Sequence, residues 1–164
     1  MKKGLLAVLS MVAGATAGVM VSVATVGKEQ DQTIKKNQQL ADKHLAIMKV
    51  YDEWLKVKQD GGSLVQYFMA RGYKNIAIYG MSYLGESLVR ELKDSDVKVQ
   101  YGIDKNAENI YSSVDVINLS ADLPKVDVIV VTTVFFFDEV VEELADIVNC
   151  PVMSLEDIVY EVQG

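Results

Sequence analysis

The sequence predicts an α/β fold, a doubly wound and mainly parallel sheet preceded by a transmembrane helix and a helical stalk. Three observations carry this expectation. The stretch NIAIYGMSYLGESLVREL, residues 75–92, passes from a short apolar strand through a glycine turn into a helix with apolar periodicity. The run VDVIVVTT, residues 126–133, is apolar without alternation, as expected of a central strand covered on both faces. Strand patterns then alternate with helical ones to Gly164, which implies parallel pairing through right-handed crossovers.

Residues 4–27, GLLAVLSMVAGATAGVMVSVATVG, carry no charge. At about 1.5 Å per helical residue, a stretch of this length crosses a hydrocarbon core of roughly 30 Å. Residues 1–27 are therefore expected to be a single-pass anchor. A cleaved secretory signal would use the basic start at Lys2 and Lys3 and the small residues Ala15, Thr16 and Ala17. The apolar run continues for nine positions past Ala17, whereas a signal core has only about 7–15 residues in total. That length favours the anchor. Lys28, Lys35, Lys36 and Lys43 slightly outweigh Lys2, Lys3 and the amino terminus, which places the body on the cytoplasmic side of the inner membrane. Gly14 and Gly18 form a GxxxG pair through which two such helices would approach closely as a homo-oligomer. A glycine- and alanine-rich anchor accounts for the pair more simply.

Residues 28–59 contain no Pro or Gly and are rich in Lys, Gln, Glu and Ala, a composition that favours helix. Leu40, His44, Ile47, Tyr51 and Trp54 recur at alternating steps of four and three, as in a coiled-coil seam or the inward stripe of a packed helix. Only about two heptads carry the pattern, too few for a coiled coil. A stalk is expected, with its later half docked on the globular body or on a partner and His44 partly buried in the seam.

The body is expected at residues 60–164. Asp60, Gly61 and Gly62 break the stalk, and Ser63 with Gln66 three positions on reads as a capping box for a short helix ending near Gly72. Strands are expected at 75–79, 97–103, 114–118, 126–132 and 151–154. Helices are expected at 83–92, 138–148 and from 155 onward. Asp138 is placed to cap the second of these.

A helix that begins just after a buried strand presents free backbone N–H groups and the positive end of its dipole, a natural seat for phosphate. In the dinucleotide fingerprint the first glycine makes the turn, the second admits the pyrophosphate and the third lets helix and strand pack closely. Gly80 and Gly85 hold the first and third places and Ser82 the second. The expected cofactor-binding loop is thus Gly80, Met81, Ser82, Tyr83, Leu84 and Gly85. Asp104 lies about 20 residues further on, where an acidic residue commonly meets ribose hydroxyls. It would favour NAD over NADP, with Lys105 blurring the preference. Thr132 and Thr133 end the fourth strand at the ligand-facing edge, and one of Phe135, Phe136 and Phe137 is expected to face a base or sugar. Tight strand-to-helix turns need glycine without any ligand, and DKN is also ordinary turn chemistry. Both readings of these residues stay open from the sequence.

Charge and residue usage narrow the function. With 16 basic and 23 acidic residues the formal charge is −7, which disfavours nucleic acid. Cys150 is the only cysteine and His44 the only histidine, so no zinc cluster, internal disulfide or histidine-based triad is expected, and no metal. Tyr101 and Lys105 have the Tyr-x-x-x-Lys spacing of short-chain dehydrogenases, but they run along a strand and into a turn, so they are not brought to one helix face. No catalytic residues are assigned.

Residues 74–106, KNIAIYGMSYLGESLVRELKDSDVKVQYGIDKN, resemble the opening of the small Rossmann-like nucleotide-binding domains that accompany bacterial glycosyltransferases, sugar-modifying enzymes and surface-polysaccharide assembly proteins. VDVIVVTTVFFFDEVVEEL and CPVMSLEDIVYEV resemble the remainder of that domain. The resemblance implies a Rossmann-like fold, a nucleotide, NAD or nucleotide-sugar ligand and an accessory or regulatory role in cell-envelope polysaccharide biosynthesis. The resemblance also implies an envelope-biosynthesis protein as a partner. Two other readings stay open: a subunit of a nucleotide-sugar-modifying enzyme completed by a partner, and a ligand-free membrane scaffold for protein interaction.

Overall fold

The structure is a computed structural model that describes the backbone of residues 2–120 and 122–164 and the side chains of residues 30–120 and 122–164. The expected transmembrane span, with Gly14 and Gly18, lies outside the residues described in full. Among the described residues no helix is long and apolar enough to cross a membrane. The chain divides into two compact units, Met1–His44 and Leu45–Gly164.

The second unit contains the sheet. It begins within α1 (Lys2–Gln59) and continues through α2 (Leu64–Ala70), β1 (Asn75–Tyr79), α3 (Tyr83–Leu92) and β2 (Lys98–Ile103). A 3-10 turn at Ala107–Asn109 leads to β3 (Val116–Ile117) and β4 (Val128–Val131). A second 3-10 turn, Val134–Phe136, precedes α4 (Phe137–Leu144), β5 (Val152–Ser154) and α5 (Leu155–Gln163). The five strands pair in the order β3-β2-β1-β4-β5, every pair parallel. This is a Rossmann-like sheet. The chain steps outward from β1 to β3, then restarts at β4 on the other side of β1. Loops therefore leave the carboxyl ends of β1 and β4 in opposite directions, opening a crevice between them.

Alternate residues of each strand face opposite sides, and both sides are covered. Ile76, Ile78, Val128 and Val130 pack with Leu84, Leu88 and Leu92 of α3, Leu64 and Phe68 of α2, and Leu155 and Ile158 of α5. Ala77, Tyr79, Ile129 and Val131 pack with Val140 and Leu144 of α4. Leu84, Leu88 and Leu92 recur every four residues, giving α3 one buried stripe.

The end of α1 belongs to the first of these cores. Val50, Trp54 and Val57 are buried, with Ile47 and Tyr51 partly so. Leu40 and His44, expected on the same stripe, are exposed because the buried run starts only at Ile47. Ser63 caps α2, accepting the Val65 N–H at 3.2 Å. The carboxylate that supports this cap comes from α3: Glu91 accepts the Ser63 hydroxyl at 3.0 Å and the Leu64 N–H at 3.2 Å, and pairs with Lys58 at 2.8 Å.

Two elements differ from expectation after β4. Val134–Phe136 forms a 3-10 turn, so α4 starts at Phe137 with Phe136 as its N-cap residue. Asp138 lies inside the first turn, where its charge suits the positive helix end, rather than at the cap. The helix stops at Leu144, short of the expected 148.

Asp127 ties the starts of β1 and β4 together. Its Oδ2 accepts the Lys74 and Asn75 N–H groups at 2.8 and 2.7 Å, and these hold its carboxyl below the usual range. A depressed folded value means the contribution is complete above the unfolded pKa of about 3.9 and is lost as pH falls through the lower folded value. Asp127→Ala is expected to cost about 1 kcal/mol at pH 7, and the melting difference from the parent should shrink below pH of about 4. A difference that stayed constant down to the acid transition would contradict this assignment.

Candidate functional site

The crevice between β1 and β4 holds a pocket of about 370 Å³, lined by Tyr79, Gly80, Asp104, Lys105, Thr133, Phe136, Glu139, Val140 and Glu143. One wall is the loop from β1 to α3. Gly80 has φ +95°, a left-handed conformation that favours glycine, and a Cβ there would lie 2.6 Å from Thr133 Cγ2. A Cβ on Gly85 would collide with the Gly80 carbonyl oxygen. The two glycines thus fold the turn tightly, in the roles that the first and third fingerprint glycines play.

The loop is held from beneath. The Gly80 N–H donates to the Ile103 carbonyl at 2.8 Å, and the Thr132 hydroxyl donates to the Gly80 carbonyl. Asp104 Oδ2 accepts the Met81 N–H and its Oδ1 accepts the Asn106 N–H, each at 2.9 Å. The buried Met81 side chain lies against Gly102, a strand position with no room for a Cβ. Met81, Leu84 and Thr132 therefore serve the interior. Ser82 is exposed as the N-cap residue of α3 and makes no side-chain capping bond. The helical ladder starts with Glu86 N–H to the Ser82 carbonyl at 3.0 Å, so the preceding N–H groups have no acceptor within the helix. Tyr83 is 73 % exposed, and its carbonyl accepts the Tyr51 hydroxyl of α1 at 2.8 Å.

The opposite wall comes from α4. The Tyr79 hydroxyl donates to Glu143 Oε2 at 2.7 Å, and Lys105 Nζ lies 3.3 Å from Glu143 Oε1. Burial, followed by the bond to Glu143, raises the Tyr79 phenol above its ordinary pKa. The same bond, followed by Lys105, holds Glu143 below the ordinary carboxylate value. Glu139 stands one turn before Glu143 on the same face. Thr133 Oγ1 is buried without a hydrogen-bond partner. Phe136 reaches the pocket and packs edge-to-face on Phe135 at 5.2 Å.

Of the residues expected from sequence, Gly80, Asp104, Lys105 and Thr133 meet in this pocket, while Ser82, Tyr83 and Gly85 lie on the adjoining loop and helix start. Sequence reasoning missed Tyr79, Glu139 and Glu143. The i, i+4 spacing of the two glutamates on a helix following the switch strand is the one signal from which they could have been found.

Three carboxylates and one ammonium line the pocket. They suit the hydroxyls of a sugar better than a phosphate, which like charges oppose. Phosphate suits the start of α3. A slightly larger cavity, about 390 Å³, lies toward the amino ends of β4 and β5, lined by residues including Tyr101, Leu123, Pro124, Val148 and Cys150. Burial pushes the Cys150 thiol up, away from the reactive thiolate. That edge has neither the glycine turn nor the switch, so the smaller pocket is the better candidate. Among the described residues no three His, Cys, Asp or Glu side chains gather closely enough to hold a metal ion. The chain has a five-stranded, all-parallel α/β fold, and comparison with family models, curated proteins and solved structures gives no match.

Proposed function

We propose that the Rossmann-like domain binds a sugar-bearing nucleotide, NAD or a nucleotide-sugar, with its diphosphate at the start of α3 and a hydroxylated ring in the β1–β4 pocket. The observation that supports this most directly is the closure of Gly85 onto the Gly80 carbonyl at the switch point, which sets the start of α3 beside the crevice. The role proposed is binding, accessory or regulatory, with no reaction assigned. Membrane attachment through residues 1–27 is part of the proposal, on the uncharged run at 4–27. A setting in envelope polysaccharide synthesis rests on the resemblance of residues 60–164 alone.

Calorimetric titration of the full chain with NAD, ATP and UDP-glucose tests the binding site. Saturable binding of at least one ligand is expected. Ser82→Asp should weaken it at least tenfold while leaving the melting temperature unchanged or slightly higher, because Asp caps a helix about as well as Ser but opposes a phosphate. A folded chain that binds none of the three, or binds equally well with Asp at position 82, contradicts the proposal.

A further inference from the structure

The geometry points to Glu139 of α4, ahead of Asp104, as the residue that accepts a ring hydroxyl of the ligand and selects against a phosphate on that ring. This rests on the nucleotide-binding reading above and assigns the specificity of the same pocket.

Asp104 occupies the usual place for a ribose contact, and each of its oxygens already accepts one loop N–H, from Met81 and from Asn106, which turns the carboxylate to the loop and leaves it fewer acceptor sites than a carboxylate without partners. It is a positioning residue. Glu143 is also committed, to the Tyr79 hydroxyl and Lys105. Glu139 lines the same pocket, is exposed, and has no hydrogen-bond or ion-pair partner among the described residues. An ionised carboxylate only accepts hydrogen bonds, so a sugar hydroxyl satisfies it and a phosphate does not. Lys105, the cation that lines the pocket, is 74 % exposed in its side chain and is outnumbered there by three carboxylates, so the wall as a whole opposes a phosphate. Thr133 stands on the same wall, and its hydroxyl oxygen is buried without a partner.

The test is titration of the full chain and its variants with NAD, NADP and UDP-glucose, alongside thermal melting. The parent should bind NAD at least tenfold more tightly than NADP. Glu139→Gln keeps an acceptor but removes the charge, so it should narrow that gap several-fold with NAD affinity nearly unchanged. Glu139→Ala should weaken NAD roughly tenfold, the weight of one hydrogen bond to a charged group. Both variants should melt with the parent, whereas Asp104→Asn should melt lower because it loosens the loop. If UDP-glucose binds in place of NAD, its loss in Glu139→Ala is the expected result. Binding that survives Glu139→Ala, or equal affinity for NAD and NADP, overturns this inference and leaves nucleotide binding standing. Failure of all three ligands overturns this inference, and failure of ATP as well overturns both.

Discussion

Trp54→Ala is expected to destabilise the compact unit by about 3–5 kcal/mol, the largest effect of any single substitution considered for this chain. Trp54 is 5 % exposed, stacks on Tyr51 with ring centroids 6.3 Å apart, and shares a core with Val50, Leu64, Phe68 and Leu155. Truncation removes the indole's burial and leaves a cavity that rigid neighbours fill only partly. Each kcal/mol lowers the melting temperature of a chain of this size by roughly 2–4 °C. Leu55, the next residue, is 54 % exposed, so Leu55→Ala should change stability by no more than about 0.5 kcal/mol. Chemical or thermal denaturation of the two variants decides the matter, and equal small effects would show that the end of α1 is not part of the core. The consequence extends to the site, because the Tyr51 hydroxyl holds the Tyr83 carbonyl in the first turn of α3.

Gly85→Ala should cost about 3 kcal/mol, at the upper end of the overpacking range. The added methyl meets the Gly80 carbonyl, a backbone atom that cannot rotate aside as a side chain would. Relief requires α3 to move away from β1, which opens the turn and shifts the N–H groups proposed to meet phosphate. Nucleotide binding should therefore fall further than the melting temperature alone would suggest. Gly61→Ala is the contrasting case. Its φ is +79° but nothing lies within 4 Å of the added carbon, so only the left-handed backbone is penalised, by about 1–2 kcal/mol. Binding by folded Gly61→Ala should equal that of the parent. If Gly85→Ala also bound normally when folded, the tight turn would have no part in ligand recognition.

How much of this was legible in the sequence differs from element to element. β1 and β4 could be read because both faces are buried, so IAIY and VIVV had to be apolar throughout. The turn at Gly80 and Gly85 was legible because close backbone approach leaves glycine as the residue that fits. The ends of α4 were not, since three phenylalanines give no local signal for the 3-10 turn that consumes residues 134–136. Asp104 was placed correctly along the chain, but its commitment to the Met81 N–H joins residues 23 apart and depends on how the β1 and β2 loops meet. Nothing in the sequence singles out Glu139 and Glu143 from the other acidic residues of α4, and they become pocket residues because α4 lies against Tyr79 and Val131. His44 was misread because its period matches Ile47 and Tyr51, while period alone does not say where burial begins.

Amide hydrogen exchange of the full chain, with and without saturating NAD or UDP-glucose, tests the central claim most directly. The expected result is ligand-dependent protection at residues 80–86 and 133–143, lost in Ser82→Asp. Protection confined to residues 122–126 and 147–150, around the cavity at the opposite edge of the sheet, or no protection anywhere, would contradict a nucleotide site at the β1–β4 switch.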